Sequence, residues 1–361
     1  SISINNATTA MKYKYCSGPD WNFEELNADN SAVANRGYSS SDVVAKWTVV
    51  WNPNVAIMSI PNALKLSYGK VDRYYFNNAS IGVRTVDVWL PNGYSPSKKY
   101  AVVYMHDGQM LFDATSTWNN QEWKVDESLS QLMQDGVIKD VIVVGIWNNS
   151  NRYTEYYPEK SMDYLTSSVK TAKLNEMNND PKGDEYLSFI VNQVKPFIDL
   201  TYSVNTNASN TLIAGSSMGG LISWYALCEY PNIFGGAVCM STHWGVIGTD
   251  DPSIPDSFRK YLLAKLPSPA NHKIYFDHGT IGLDANYDAN QQLVDTIMRN
   301  KGYTSSNWET LAFQGDDHNE VSWANRFNVP MKFMLAKDNI VTGLNLNTEN
   351  LNNKGLLCGS T

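Results

Sequence analysis

The sequence predicts an α/β fold: a mostly parallel central sheet flanked by helices, with a short β-rich segment in front of it. Three observations carry that expectation. From about residue 76 onward, strand-length apolar runs alternate with longer segments whose apolar residues recur at helical spacing. The runs VIVVGIW from Val141 and YAVVYM from Tyr100 are continuously apolar, as strands buried on both faces are. Such alternation is the pattern of parallel strands joined by crossover helices.

Residues 1–75 read as the β-rich appendage. MKYKYC, KWTVVWN and VAIMSI are strand-like pieces separated by polar, Asn- and Ser-rich turns, and no long helical period runs through them. Residues 76–338 read as the α/β domain. Its expected strands are Arg84–Pro91, Tyr100–Gly108, Asp140–Trp147, TLIAG from Thr211, GGAVCMST ending at Thr242, Lys273–Gly279 and WETLAFQG ending at Gly315. Its expected helices are Asp184–Leu200, with Leu187, Ile190, Val191 and Val194 on one face, and MGGLISWYALCEY, ending before Pro231. NQQLVDTIMRNKGY follows, closing at Gly302, and EVSWANRFNVPMKFML, interrupted near Pro330, is the last. Residues 339–361 form a polar, Asn-rich tail.

Composition narrows the function. Hydrophobic residues make up 43% and charged residues 18%, enough for a large core and unlike a disordered chain. The net charge of -8 repels phosphate backbones and anionic lipid, so neither nucleic acid nor membrane is expected as a partner. No apolar run approaches the ~20 residues of a membrane span. Many of the aromatics lie beside Asn, Ser and Gly, as in proteins that handle sugars. The opening SISINNATTAMKYKY lacks a basic-then-apolar leader pattern, and a secreted chain whose leader has been removed looks the same. Of the four cysteines, Cys228 and Cys239 fall in apolar elements as buried thiols. Cys16 and Cys358 could close a disulfide only in an oxidising compartment, and that pairing stays open. No cysteine pair has metal-ligand spacing.

The chemistry is concentrated at Gly215-Ser216-Ser217-Met218-Gly219, a G-x-S-x-G turn between an apolar strand and an apolar helix. In a nucleophile elbow that turn pushes the serine hydroxyl out at the carboxyl end of the sheet. It also aims the following amide, here that of Met218, at the same point. The other reading is a helix N-terminus that binds an anion or simply packs tightly. A serine needs a base, and in the elbow fold the chain order is Ser, acid, His. His318, just past the last strand, fits the base. His243 follows the next strand and is expected to line the pocket, while His272 belongs at the opposite end of the sheet and His278 inside a strand. The acid lies among Asp277, Asp284 and Asp288. Asp284, in the loop after the strand, is preferred, since Asp277 is within the strand and Asp288 suits a helix cap. The loop YMHDGQMLFD supplies the second oxyanion donor from its Gly108–Gln109 segment, with His106 and Asp107 as polar supports.

Together YMHDGQMLFD, VVGIWNNSNRYTEYYP, GSSMGG, FDHGTIGLDANY and DDHNEVSWANRF resemble the putative-esterase family of α/β-hydrolases, over roughly Val71 to Leu335. This is the group of carbohydrate esterase family 1, feruloyl esterases and their siderophore-esterase relatives. The resemblance implies Ser217, Asp284 and His318 as the triad, and no metal or organic cofactor. Met218 and, from the Gly108–Gln109 segment, Gln109 are the expected oxyanion donors, with the choice between the two amides of that segment open. In the NNSNRYTEYYP loop, Asn148 and Tyr156 are expected to shape the pocket, and Arg152 to pair with Glu155 and fix the loop. The N-terminal segment resembles the tail of the carbohydrate-binding-like β modules that precede such esterases, so a further carbohydrate-binding or scaffolding module outside this chain is an expected partner.

The implied activity is that of a secreted serine esterase removing feruloyl or acetyl groups from plant polysaccharide through an acyl-enzyme. Trp147, Tyr153, Tyr156, Trp244 and Tyr287 are expected as aromatic walls favouring a planar acyl group. A siderophore or small-ester hydrolase and an acyltransferase share the same triad. A glycan-binding protein without catalysis is the reading from another class.

Overall fold

The computed structural model describes residues 12–13, 36–37, 55–58, 64–245 and 251–337. The cysteines Cys16 and Cys358 and the tail 339–361 lie outside the described residues. Eleven strands are described: β1 Lys12–Tyr13, β2 Arg36–Gly37, β3 Val55–Met58, β4 Lys70–Asn78, β5 Gly82–Leu90, β6 Ala101–His106, β7 Val141–Ile146, β8 Thr211–Ser216, β9 Gly236–Met240, β10 Lys273–Gly279 and β11 Trp308–Phe313. Among the described residues, the first two pair with each other as a separate two-stranded sheet. The other nine form one sheet in the order β11-β10-β9-β8-β6-β7-β5-β4-β3. Strands β6 to β11 run parallel, and β5, β4 and β3 are added antiparallel at one side. The fold is that of an α/β-hydrolase.

One expected boundary is corrected. A division at 75/76 falls inside β4, and β3, taken from VAIMSI, is the edge strand of the same sheet. The hairpin ladder from Lys70↔Leu90 to Asn78↔Gly82 ties this segment to the main domain. Short strand-like pieces without helices look alike in an appendage and at the antiparallel margin of a larger sheet.

The parallel strands are buried on both faces, and side chains alternate between two cores. Val102, Tyr104, Ile142, Val144 and Ile213 point into one. Ala101, Val103, Met105, Val141, Val143 and Leu212 point into the other. The helices are α1 Val125–Gln134, α2 Arg152–Glu155, α3 Ser167–Glu176, α4 Gly183–Phe189, α5 Lys195–Thr201, α6 Met218–Glu229, α7 Ser253–Lys265, α8 Asp288–Asn300, α9 Glu320–Arg326 and α10 Asn328–Leu335. Residues of α4 to α8 cover the first face, and residues of α1, α9 and α10 the second. A π-helical turn, Ile190–Val194, joins α4 to α5.

Helices α1, α2, α3 and α7 are additions to the expected elements. In α1 the signal is present, since Val125, Leu129 and Leu132 share one buried face. The last helix breaks at Phe327 and not at Pro330. Pro330 occupies the third position of α10, where a missing N–H costs no intrahelical bond.

Candidate active site

Strand β8 ends at Ser216, and α6 begins at Met218. Ser217 sits between them with φ 58 and ψ -123. That is a sparsely populated conformation for a residue with a Cβ, and such strain persists only where the surroundings over-determine it. Here they do. A Cβ on Gly215 would meet the Gly219 backbone at 2.8 Å, so strand and helix approach too closely for any other residue. Ser217 N–H donates to the Met240 carbonyl at 2.9 Å, and the Ser217 carbonyl accepts from Leu221 and His243 at 3.1 Å each. The hydroxyl of the neighbouring Ser216 is on a buried residue, whereas Ser217 is part-exposed. As the first residue of α6, Met218 has an N–H without an intrahelical partner.

Loops after β10 and β11 bring Asp284 and His318 together. His318 Nδ1 lies 2.6 Å from Asp284 Oδ1. The carboxylate is fully buried, and its Oδ2 accepts from Gly279 N–H at 2.7 Å and from the Ser241 hydroxyl. Burial by itself would raise the Asp284 carboxyl. The hydrogen bonds from His318, Ser241 and Gly279 outweigh it and hold the group below its ordinary range. An ionised Asp284 can only accept, so Nδ1 of His318 carries the proton and a neutral ring leaves Nε2 unprotonated. The imidazole is packed edge-on against Trp323 at 5.0 Å and Tyr287 at 5.6 Å.

Two residues, His243 and Tyr287, connect Ser217 to His318. His243, whose N–H holds the Ser217 carbonyl, sets its Nδ1 2.9 Å from the Tyr287 hydroxyl, and Tyr287 packs on His318. No hydrogen bond joins the Ser217 hydroxyl to His318 in this geometry, an arrangement that commonly tightens only with substrate in place.

The loop after β6 begins at Asp107, in the left-handed region at φ 57, and continues as the 3-10 turn Gly108–Met110. A Cβ on Gly108 would stand 2.5 Å from the Gly145 carbonyl carbon, so this loop lies directly on β7. Gln109 and Asn148 close a ring of two hydrogen bonds, Nε2 to Oδ1 at 2.7 Å and N–H to Oε1 at 3.1 Å. Asn148 Nδ2 also donates to Asp107 Oδ1 at 2.6 Å. Arg152 completes the cluster with bidentate bonds of 2.8 Å to both oxygens of Asp107. Burial would raise the Asp107 carboxyl, but the Arg152 charge brings it below its ordinary value. His106 is pushed down to about 3 by burial and bonds Tyr186 at 2.7 Å. It is neutral at any working pH and is a support for the loop.

Several expectations about the pocket are corrected. Arg152 does not pair with Glu155. The Glu155 carboxylate is fully buried and takes two bonds from Arg84, 2.6 and 2.8 Å. Trp244 is 1% exposed, stacked on Trp224 at 5.8 Å and bonded to Gln291, so it is core and presents no face to a ligand. Tyr156 is likewise buried, with its hydroxyl on the Asp107 N–H, and Tyr287 is buried behind His243. Trp147 is half-buried, bonded to Asp87 and covered by the Arg73 guanidinium at 4.6 Å. Tyr153 is 36% exposed. The supposed aromatic wall is therefore mostly packing under the loops. His278 and His272 are placed as expected, the first buried beside Gly279 and the second bonded to the Pro231 carbonyl. Cys228 and Cys239 are buried free thiols.

Ser241 and Arg326 carry no sequence signal that marks them as members of the site, and Asp277, weighed above as the acid, instead accepts from Ser241 N–H and Arg326. Among the described residues, no group of His, Cys, Asp and Glu has the arrangement of a metal site, and no helix is long and apolar enough to cross a membrane.

Three comparisons bear on this site. The model of the putative-esterase family matches residues 80–334. The uncharacterized protein YbbA of Bacillus subtilis is 32% identical over 157 residues, which is 43% of this chain and 54% of that protein. An endo-1,4-beta-xylanase/feruloyl esterase of Xylanibacter ruminicola is 23% identical over 194 residues, 50% of this chain and 22% of that protein. The chain thus spans little more than half of the first relative and less of the second. Among solved structures, the feruloyl esterase module from Clostridium thermocellum complexed with sinapinate is similar with a TM-score of 0.52 and 18% identity, over 75% of this chain and 89% of that one. That likeness is one of fold.

Proposed function

The chain belongs to the putative-esterase family, and from that premise we propose that it is a serine carboxylic-ester hydrolase acting on acylated plant cell-wall polysaccharide, outside the cell. The observations that carry the reading are the strained Ser217 at the β8–α6 junction and a His318–Asp284 pair bonded at 2.6 Å in the loops after β10 and β11. Ser217 Oγ attacks the ester carbonyl while His318 Nε2 takes its proton. The carbonyl oxygen, now negative, is met by the Met218 N–H and by an amide of the Gly108–Gln109 segment. His318 returns the proton to the departing sugar oxygen, leaving an acyl-serine. A water, deprotonated by the same nitrogen, then releases the acid and restores Ser217. Asp284 stays ionised throughout, orienting the imidazole and stabilising its cationic form.

For the acyl group we favour feruloyl-type esters over acetyl esters. The likeness to a relative named as a feruloyl esterase supports this, and so do the partly accessible rings of Trp147 and Tyr153. The test is a comparison of kcat/KM on methyl ferulate and on acetylated xylo-oligosaccharide, with Ser217→Ala as control. Dominant acetate release overturns the feruloyl choice. Hydrolysis of siderophore-type or other small esters alone overturns the polysaccharide substrate. Lack of any esterase activity, or its survival in Ser217→Ala, overturns the mechanism.

A further inference from the structure

Behind Asp284 lies a buried cluster that the mechanism above does not use. Ser241 is the first residue after β9, fully buried, with a φ of 42 that is uncommon for a residue bearing a side chain. Its N–H is fixed by Asp277, whose carbonyl accepts at 2.9 Å and whose Oδ1 accepts at 3.1 Å. Its hydroxyl has three partners: Asp284 Oδ2, Trp323 Nε1 at 2.9 Å and Arg326 NH2 at 2.7 Å. An indole N–H and a guanidinium can only donate. They occupy both lone pairs of Ser241 Oγ, so its single proton has one place to go, the Asp284 carboxylate. Trp323 and Arg326 are three residues apart on α9 and so share a face of that helix. Arg326 is 2% exposed and is held in turn by Asp277 at 3.1 Å and Asp316 at 2.8 Å. Strain at a buried serine, together with a hydroxyl whose direction is dictated from three sides, is more than packing requires.

Resting on the esterase reading above, we infer that Ser241, oriented by Arg326 and Trp323, is a positioning residue for the triad: it fixes the Asp284 carboxylate so that Oδ1 alone faces His318. Without that hydroxyl the Oδ2 atom keeps the Gly279 N–H and the Arg326 charge 3.6 Å away but loses its side-chain hydrogen bond, and the carboxylate gains rotational freedom about its last bond. The imidazole then spends less time with Nε2 aimed at the serine.

The experiment compares Ser241→Ala and Ser241→Gly. Glycine removes the same hydroxyl and accepts a φ of 42 without strain, so a folding defect in the alanine variant does not end the test. Turnover is counted per serine titrated with a phosphonate, which removes misfolded protein from the measure. Both variants are expected to lose about 10- to 100-fold in kcat, the range of one charge-assisted hydrogen bond, with KM changed less than about twofold. Both should also shift the downfield imidazole Nδ1–H proton resonance, which Asp284→Asn should abolish. Wild-type turnover per titrated site with an unshifted resonance overturns the inference and leaves the triad standing. Should Ser217→Ala remain active, the triad reading falls instead. The resonance still decides then, a shift in Ser241→Gly supporting the hold on Asp284 and no shift overturning it.

Discussion

His318 and Asp284 are joined by an Nδ1–Oδ1 hydrogen bond of 2.6 Å across 34 residues of sequence. The carboxylate is fully buried and the imidazole nearly so, a setting in which a charge-assisted bond is strong and directional. Asp284→Asn keeps the shape but offers an N–H donor or a neutral acceptor in its place, so the ring is misoriented. Turnover is expected to fall by about four orders of magnitude with KM little changed. Steady-state kinetics on a chromogenic ester checks this. A comparable loss in Asp277→Asn, with Asp284→Asn near wild type, would identify the wrong carboxylate.

The same bond has a consequence for stability. The folded Asp284 carboxyl lies below its ordinary value, so the folded state binds fewer protons there than the unfolded chain. Its contribution is present above the ordinary carboxylate range and disappears as pH falls through the folded value. Urea midpoints between pH 2 and 6 should show a smaller acid loss in Asp284→Asn than in the wild type.

Asp126 works in the opposite direction. It is fully buried in α1, its Oδ2 accepts the N–H groups of Ser67 and Tyr68, and burial pushes its carboxyl up to about 7. Between the ordinary carboxylate value and about 7 the folded state holds the extra proton, so this group's contribution falls as pH rises through that window. Asp126→Asn retains an acceptor oxygen and cannot titrate. Its stability relative to wild type should therefore increase from pH 4 to pH 7, measured by denaturant midpoints. A difference that is flat or reversed contradicts the assignment.

Two arginines next to one loop should behave differently. Glu155→Ala leaves Arg84 charged, buried and without its carboxylate, at a cost of about 3–5 kcal/mol. Arg152→Lys retains the charge near Asp107 but loses the two-pronged grip on the loop after β6. It should fold, with kcat lowered about tenfold or more. Calorimetry on the first and kinetics on the second check the pairing. Near-normal stability of Glu155→Ala would restore the Arg152–Glu155 pair expected from the sequence.

Trp244→Ala removes a core ring stacked on Trp224. The expected result is a loss of about 3–5 kcal/mol in stability without a change in the ratio of feruloyl to acetyl activity. Trp147→Ala, at a half-buried position on the strand end, is the variant in which that ratio should move.

What the sequence by itself determined rests on near neighbours. Alternating apolar runs specified the strands, the G-x-S-x-G turn specified the elbow, and the chain order of Ser217, Asp284 and His318 followed from where each lies relative to a strand end. Local sterics and side-chain period are written in consecutive residues, and Gly215 against Gly219 is a contact within one turn. Tertiary structure alone decided which partner each buried group would take. Arg84 and Glu155 are 71 residues apart, and Arg326 and Ser241 are 85 apart. The Arg152–Glu155 pair within one loop is the local choice, yet Arg84 is on strand β5 and meets that carboxylate fully buried. The same holds for Trp244, Tyr156 and Tyr287, which are aromatic at loop positions in either case. Whether such a ring faces a ligand or the core depends on what packs over it, and that is fixed by chain segments far away in sequence.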